Sequence, residues 1–302
     1  MNQYPKNILS IEEQIAAYKS AGMIIPDEQE VEDALKNIGY YRLRGYCFHF
    51  YDNAAKKYKE GTNFSNILKL YNFDKELSHL LFSFTCSIEV SLRSRLIEAL
   101  LIHEDALILM DPTFFSDKER YWKNLGVISS EISRSNDVFI KHNYNKHDGE
   151  IPIWAAVEVI SFGTLSKLIK NLKTGADSSF SRLADSYSFK TANGKTAKPS
   201  KNMFTSWIQA VSVLRNLCAH NSRIYNRAIS TTPELLINDQ INPRPKYNGL
   251  YQIVLSMKYL RPNDIAWKQF TDELKSLIVK YDGVFEYARM NFPKDWEKRL
   301  EI

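Results

Sequence analysis

Arg215, Asn216 and His220 lie close together in Val211-Ser-Val-Leu-Arg-Asn-Leu-Cys-Ala-His-Asn-Ser-Arg223. Histidine takes and gives a proton near neutral pH, and arginine can hold two phosphate oxygens while charge grows on them in a transition state. The combination suits chemistry on a phosphodiester. On RNA, an imidazole acting as base can remove the proton of a 2′-hydroxyl, whose oxygen then attacks the adjacent phosphorus without a metal or an outside water. The products would be a 2′,3′-cyclic phosphate and a 5′-hydroxyl.

Spacing alone is weak support. With 14 arginines and 6 histidines in 302 residues, an Arg followed by a His after four to six residues is expected about 0.8 times by chance. Arg44 and Arg42 make such pairs with His49, but only the pair at Arg215 and His220 has Asn directly after the Arg. Charge also concentrates around it. The 48 residues between Asp185 and Glu234 carry no carboxylate side chain, yet they hold Lys190, Lys195, Lys198, Lys201, Arg215, Arg223 and Arg227, against a net +5 for the whole chain. The positive field therefore gathers here, with Arg223, Arg227, Lys195, Lys198 and Lys201 as candidate RNA contacts. On a helix expected from Asn202 to about Asn226, Ser212, Asn216, His220, Arg223 and Arg227 share one face. Leu214, Leu217, Cys218 and Ile224 lie towards another, so one side should pack and the other present polar groups.

Helices must position these residues. Ser10 with Glu13 reads as a capping box, starting a helix to Ser20 that Gly22 ends. Asp27 starts a second, with Val31, Leu35 and Ile38 at helical spacing before Gly39. Phe64 to about Glu104 holds no Pro or Gly, and Leu77, Leu81, Phe84, Ile88 and Leu92 recur at three- and four-residue intervals, predicting one long core helix or two joined by a kink. Shorter, more exposed helices are expected over 111–150, then a helix over 153–172 interrupted at Gly163. A loop follows at 191–200, and helices at 251–260 and 267–290 precede a short tail. No β-rich stretch or internal repeat occurs, so the fold class is all-α. A polar stretch, Lys56 to Gly61, suggests an N-terminal helical module over 1–60 and a helical domain over 61–302.

Composition narrows the classes further. At 44% apolar and 25% charged residues, with few chain breakers, the chain is neither disordered nor collagenous. Cys47, Cys86 and Cys218 are odd in number and scattered, which excludes a disulfide framework and a CxxC knuckle and suits a reducing cytoplasm. No signal pattern and no apolar run of membrane-spanning length is present. His142 and His147-Asp148 lack helical zinc spacing and read as a solvated loop, so no metal or other cofactor is expected. Tyr40 to Tyr51 interleaves arginines with rings that can stack on RNA, but core packing is the preferred use. Cys218 is about 160° from His220 on a helical wheel and reads as core.

The run Arg215-Asn-Leu-Cys-Ala-His220 resembles the Arg-polar-x3-His signature of the HEPN superfamily of RNases. Gly39-Tyr-Tyr-Arg-Leu-Arg-Gly-Tyr46, Trp154 with Ser161-Phe-Gly-Thr-Leu165, and Met290-Asn-Phe-Pro-Lys-Asp-Trp296 resemble abortive-infection proteins of the AbiD/AbiF type. The resemblance implies a HEPN-type bundle and a metal-independent endoribonuclease of antiphage or toxin-antitoxin type. Arg215 would bind the phosphate, Asn216 would orient the site, and His220 would be the acid/base. One histidine cannot easily serve both proton transfers, so a homodimer is implied, and relatives held in check by a structured noncoding RNA make an RNA antitoxin a possible partner. Glu89 and Arg93, four residues apart on an otherwise apolar stripe, form a candidate ion pair. In HEPN proteins a group from an earlier helix often faces the Arg/His helix, so Glu89 would orient Arg215; the alternative is a salt bridge with no catalytic role. A non-catalytic RNA-binding or scaffold protein of a phage-defence complex is the second reading, and a phage-sensing adaptor needing no RNA is the third.

Overall fold

In the computed structural model, which describes residues 8–191, 194–241, 247 and 249–302, the first helix starts as its sequence predicts. Ser10 Oγ accepts from the Glu13 amide at 3.2 Å, and Glu13 Oε2 accepts from the Ser10 amide at 2.7 Å, a reciprocal cap. Helix α1 (Ile11–Ser20) then ends at Gly22, whose φ of 85° is open to glycine at little cost. Asp27 caps α2 (Glu28–Asn37), and α3 (Tyr40–Cys47) follows directly. A hairpin of β1 (Tyr51–Asp52) and β2 (Lys57–Tyr58) leads into α4 (Phe64–Leu100), a single unbroken helix. After it come α5 (Lys118–Arg134), α6 (Val138–Lys146), α7 (Ile153–Val159), α8 (Phe162–Asn171) and α9 (Ser179–Asp185). A second hairpin, β3 (Phe189–Lys190) with β4 (Thr196–Ala197), precedes α10 (Lys201–Ala219). The chain closes with α11 (Leu250–Leu260), α12 (Asp264–Lys280) and α13 (Trp296–Leu300). The fold is all-α.

The chain forms two compact units, Met1–His79 with Glu273–Glu286, and Leu80–Asp272 with Tyr287–Ile302. The boundary expected near residue 60 falls in the turn before α4, and the first unit runs on through α4 to His79. In that unit the aromatic stretch supplies core: Leu43, Tyr46 and Cys47 are buried, Tyr18 meets the rings of Tyr40 and Phe64, and Tyr46 donates to Asp74 at 2.7 Å.

In the second unit α10 packs chiefly on α8 and α11, while α5 packs on α7 and α8. Leu81, Phe84, Ile88, Leu92 and Leu96 of α4 are buried, as their spacing predicts. Four sequence expectations need correction. Gly163 does not break the helix over 153–172; the break is at Ile160 and Ser161, where Ser161 Oγ caps α8 by accepting from the Thr164 amide. Gly163 instead sits where α8 approaches α10, since a Cβ there would lie 3.9 Å from Ser212 Oγ. His142 belongs to α6 rather than to a loop. The helix expected over 267–290 ends at Lys280, before Gly283 at φ 75°. The fourth correction concerns α10 and is part of the site.

Candidate active site

Helix α10 starts with Ser200 Oγ accepting from the Met203 amide and stops at Ala219, seven residues before the end expected at Asn226. The stop is a Schellman turn. Asn221 takes φ 49°, its amide donates to Cys218 O at 2.9 Å, and the Ser222 amide donates to Leu217 O at 2.9 Å. Asparagine tolerates the left-handed conformation well enough to do what glycine more often does there. His220 is therefore the helix cap, while Arg223 and Arg227 lie beyond the helix and do not continue its face. Ser212 leaves the polar face too, because it is buried against α8. The face that reaches solvent runs instead through Asn202, Ser206, Gln209, Val213, Asn216 and His220, all exposed or half-buried. Its three- and four-residue steps are present in the sequence, but they run through uncharged side chains that carry no charge signal.

Arg215 is held on the flank of this stripe. Its Nε and Nη2 donate to Glu89 Oε2 of α4 at 3.0 and 2.8 Å, and its Nη1 donates to Asn216 Oδ1 at 3.0 Å. The other carboxylate oxygen of Glu89 accepts from Arg93 Nη2, which also donates to Ile160 O at 2.8 Å. Glu89 and Arg93 are buried, whereas the Arg215 side chain keeps 25% of its exposure. One buried carboxylate thus ties two guanidinium groups, which fixes Arg215 while part of it still meets solvent. Burial pushes the neighbouring Cys86 thiol up, opposed by the pull of Arg215. Among the described residues the ring of His220 makes no hydrogen bond or ion pair and is exposed. Cys218 is buried.

The cations do not form one patch. Lys201 opens α10, which places it about 21 Å along the helix from Arg215. There its Nζ donates to Leu172 O at 3.1 Å and lies over the Phe180 ring; burial lowers its pKa. Lys198 pairs with Asp185 at 3.2 Å and donates to Ser181. Lys195 is exposed, in the turn of the second hairpin. Near the other end, Arg227 Nη1 donates to Arg223 O at 3.4 Å, and both side chains are half-buried. The expected concentration of positive charge is accordingly two separate groups, and Glu89 and Asp185 enter from outside the carboxylate-free run.

The other motifs are structural where they are described. In Ser161-Phe-Gly-Thr-Leu165, Phe162 and Leu165 are buried, and Glu131 of α5 accepts from the Ser161 amide and from Thr164 Oγ1, each at 3.1 Å. Met290, Phe292 and Trp296 are buried, and Asn291 at φ 61° donates to Gln252 of α11 at 3.2 Å. Trp154 is exposed. Among the described residues, no three His, Cys, Asp or Glu side chains group as metal ligands, and no helix is long and apolar enough to cross a membrane.

No curated protein and no solved structure matches the chain. A family model described as Abi-like protein does match, over residues 33–226, a span that contains Glu89, Arg93, Arg215, Asn216, His220 and Arg223 and covers more than half the chain. With its N-terminal Gly-Tyr-Tyr-Arg segment, the ion-paired Arg215 and the capping His220 all inside that match, the chain belongs to the Abi-like protein family, an abortive-infection family.

Proposed function

We propose that the protein is a metal-independent endoribonuclease of the HEPN type acting in abortive infection. The observation that carries this reading is the division of labour on α10: Arg215 is locked in place by Glu89, while Asn216 and His220, one turn apart on one face, remain in solvent. A guanidinium fixed before substrate arrives needs no reorganisation to stabilise charge on a phosphate. Asn216 yields Nη1 of Arg215 to a phosphate oxygen and donates its own amide to the same group. His220 takes the proton of the 2′-hydroxyl, and the 2′-oxygen attacks the adjacent phosphorus. The bond to the 5′-oxygen breaks, and that oxygen leaves with a proton from the His220 of a second copy of the chain, so the working form is a homodimer. The RNA substrate meets Arg223 and Arg227 near this end of α10, and Lys195 at the other.

The test is cleavage of single-stranded or loop RNA in EDTA. Wild-type protein is expected to leave 2′,3′-cyclic phosphate and 5′-hydroxyl ends, and His220→Ala or Arg215→Ala to slow cutting by about 10²–10⁴-fold with helical content retained. Equal cutting by both variants would overturn the reading. Salt-sensitive RNA binding that neither variant changes, with no cutting by any form, would instead support a non-catalytic RNA-binding protein.

A further inference from the structure

A cavity of about 560 Å³ opens in the second unit, and none of Arg215, Asn216 and His220 lines it. Its walls include Asn202, Ser206 and Gln209 of α10, Gln252 of α11, Lys170 of α8, and Tyr247. A volume within roughly 300–1,000 Å³ suits a small-molecule-sized group. Apart from Lys170 and Glu234 the polar groups here are neutral, and four of them, Asn202, Gln209, Gln240 and Gln252, are carboxamides. Gln252 is the informative one. It is 5% exposed, and its Oε1 accepts from the Gly249 amide at 3.1 Å and from Asn291 Nδ2 at 3.2 Å, which settles the orientation of the amide. Its Nε2 makes no hydrogen bond among the described residues and is not sealed off as a buried orphan, so it can donate to a group in the cavity. Asn202 and Gln209 make no side-chain hydrogen bond among the described residues and are exposed. Tyr247, 42% exposed, offers a ring edge or face, and its backbone is tied by Asn291 Nδ2 donating to Tyr247 O at 2.9 Å.

Carboxamides that pair a donor with an acceptor, beside an aromatic ring, are the groups that read and stack a nucleobase. Position supports the same ligand. Asn202, Gln209 and Asn216 are spaced by seven residues, two turns of helix, and so share the face that ends at His220. Gln209 lies about 10 Å along the axis from Asn216 and about 16 Å from His220. We infer that this cavity takes a nucleobase of the RNA strand, flanking the bond that Arg215 and His220 act on, and so gives the site a base preference. The inference rests on the nuclease reading for its account of what passes along the stripe.

Two measurements test it. His220→Ala protein is titrated with short single-stranded RNAs differing at one base, and cleavage sites of wild-type protein on a random-sequence RNA pool are mapped by sequencing the ends. The expected results are an affinity difference of about tenfold between bases, the scale of one good bidentate contact, and a matching preference at one position near the cut. Gln209→Ala and Asn202→Ala, at exposed positions without structural hydrogen bonds, are expected to flatten both. Cutting with no base preference, or a preference that neither variant changes, overturns the base pocket and leaves the nuclease reading intact. Base-dependent binding lost in these variants, with no cutting by any form, sinks the nuclease reading and keeps the pocket. Tight binding of free nucleoside monophosphates that RNA does not displace assigns the cavity to a free nucleotide and overturns the proposal.

Discussion

Glu89 accepts from two guanidinium groups at once, one buried and one partly in solvent, and this decides what Arg215 can do. A buried ion pair adds little stability over an apolar replacement, but removing one partner leaves uncompensated charge in a low-dielectric setting. Glu89→Gln keeps the shape and deletes the charge both arginines face. It is expected to cost about 3 kcal/mol in urea unfolding and to slow RNA cutting as well, because Arg215 loses the acceptor for two of its nitrogens. A variant that unfolds like the wild type would show that the carboxylate is not what holds Arg215. The buried Arg93 Nη1, which has no hydrogen-bond partner among the described residues, marks how far this network depends on one carboxylate.

At the scale of elements, α8 packs on α10, with Gly163 facing Ser212. A Cβ at Gly163 would meet only the Ser161 and Ser212 hydroxyls, both at 3.9 Å, which is ordinary contact. Since alanine also restricts the unfolded chain, Gly163→Ala is expected to stabilise by roughly 0.4–1 kcal/mol, read as a higher Tm. In the first unit, Glu76 of α4 accepts from Lys280 Nζ at 2.7 Å and from Tyr281 at 2.8 Å. The Lys280 hydrogen bond holds the Glu76 carboxyl below its ordinary 4.5. A depressed carboxyl contributes stability that is present above the unfolded-state pKa and is lost as pH falls through the folded one. Stability is therefore expected to decline more steeply below about pH 4.5 in the wild type than in Glu76→Gln, compared by urea midpoints at pH 6 and pH 3.5.

For the whole molecule, the two-copy mechanism predicts a species of twice the 35.1 kDa chain mass in light scattering. It also predicts cutting that falls faster than in proportion to protein concentration once the dimer dissociates. A monomer that cuts at full specific activity would overturn the shared site. Charge at this scale is distributed rather than pooled. Lys198 and Lys201 are engaged in the fold near the start of α10, so under the proposed function Arg223 and Arg227 carry more of the attraction for RNA than the run of cations suggests.

What the sequence determined was local. The caps at Ser10 and Asp27, the spacing of Leu81 to Leu96 and the all-α class rest on hydrogen bonds and side-chain directions that repeat within four residues, so they are legible along the chain. The Arg215-Asn216-His220 run was legible for the same reason, and Glu89 as its neighbour came from family likeness rather than from spacing. The end of α10 was missed although it is local, because asparagine at a left-handed position competes only weakly with helix continuation and leaves a faint mark. Tertiary structure alone decided which charges meet. Glu89 lies 126 residues from Arg215 in the chain, and no periodicity says which face of one helix will be set against which face of another. The same packing buried Ser212, neutralised Lys198, and left Asn202, Gln209 and His220 in solvent, because burial belongs to the assembled helices rather than to any one of them.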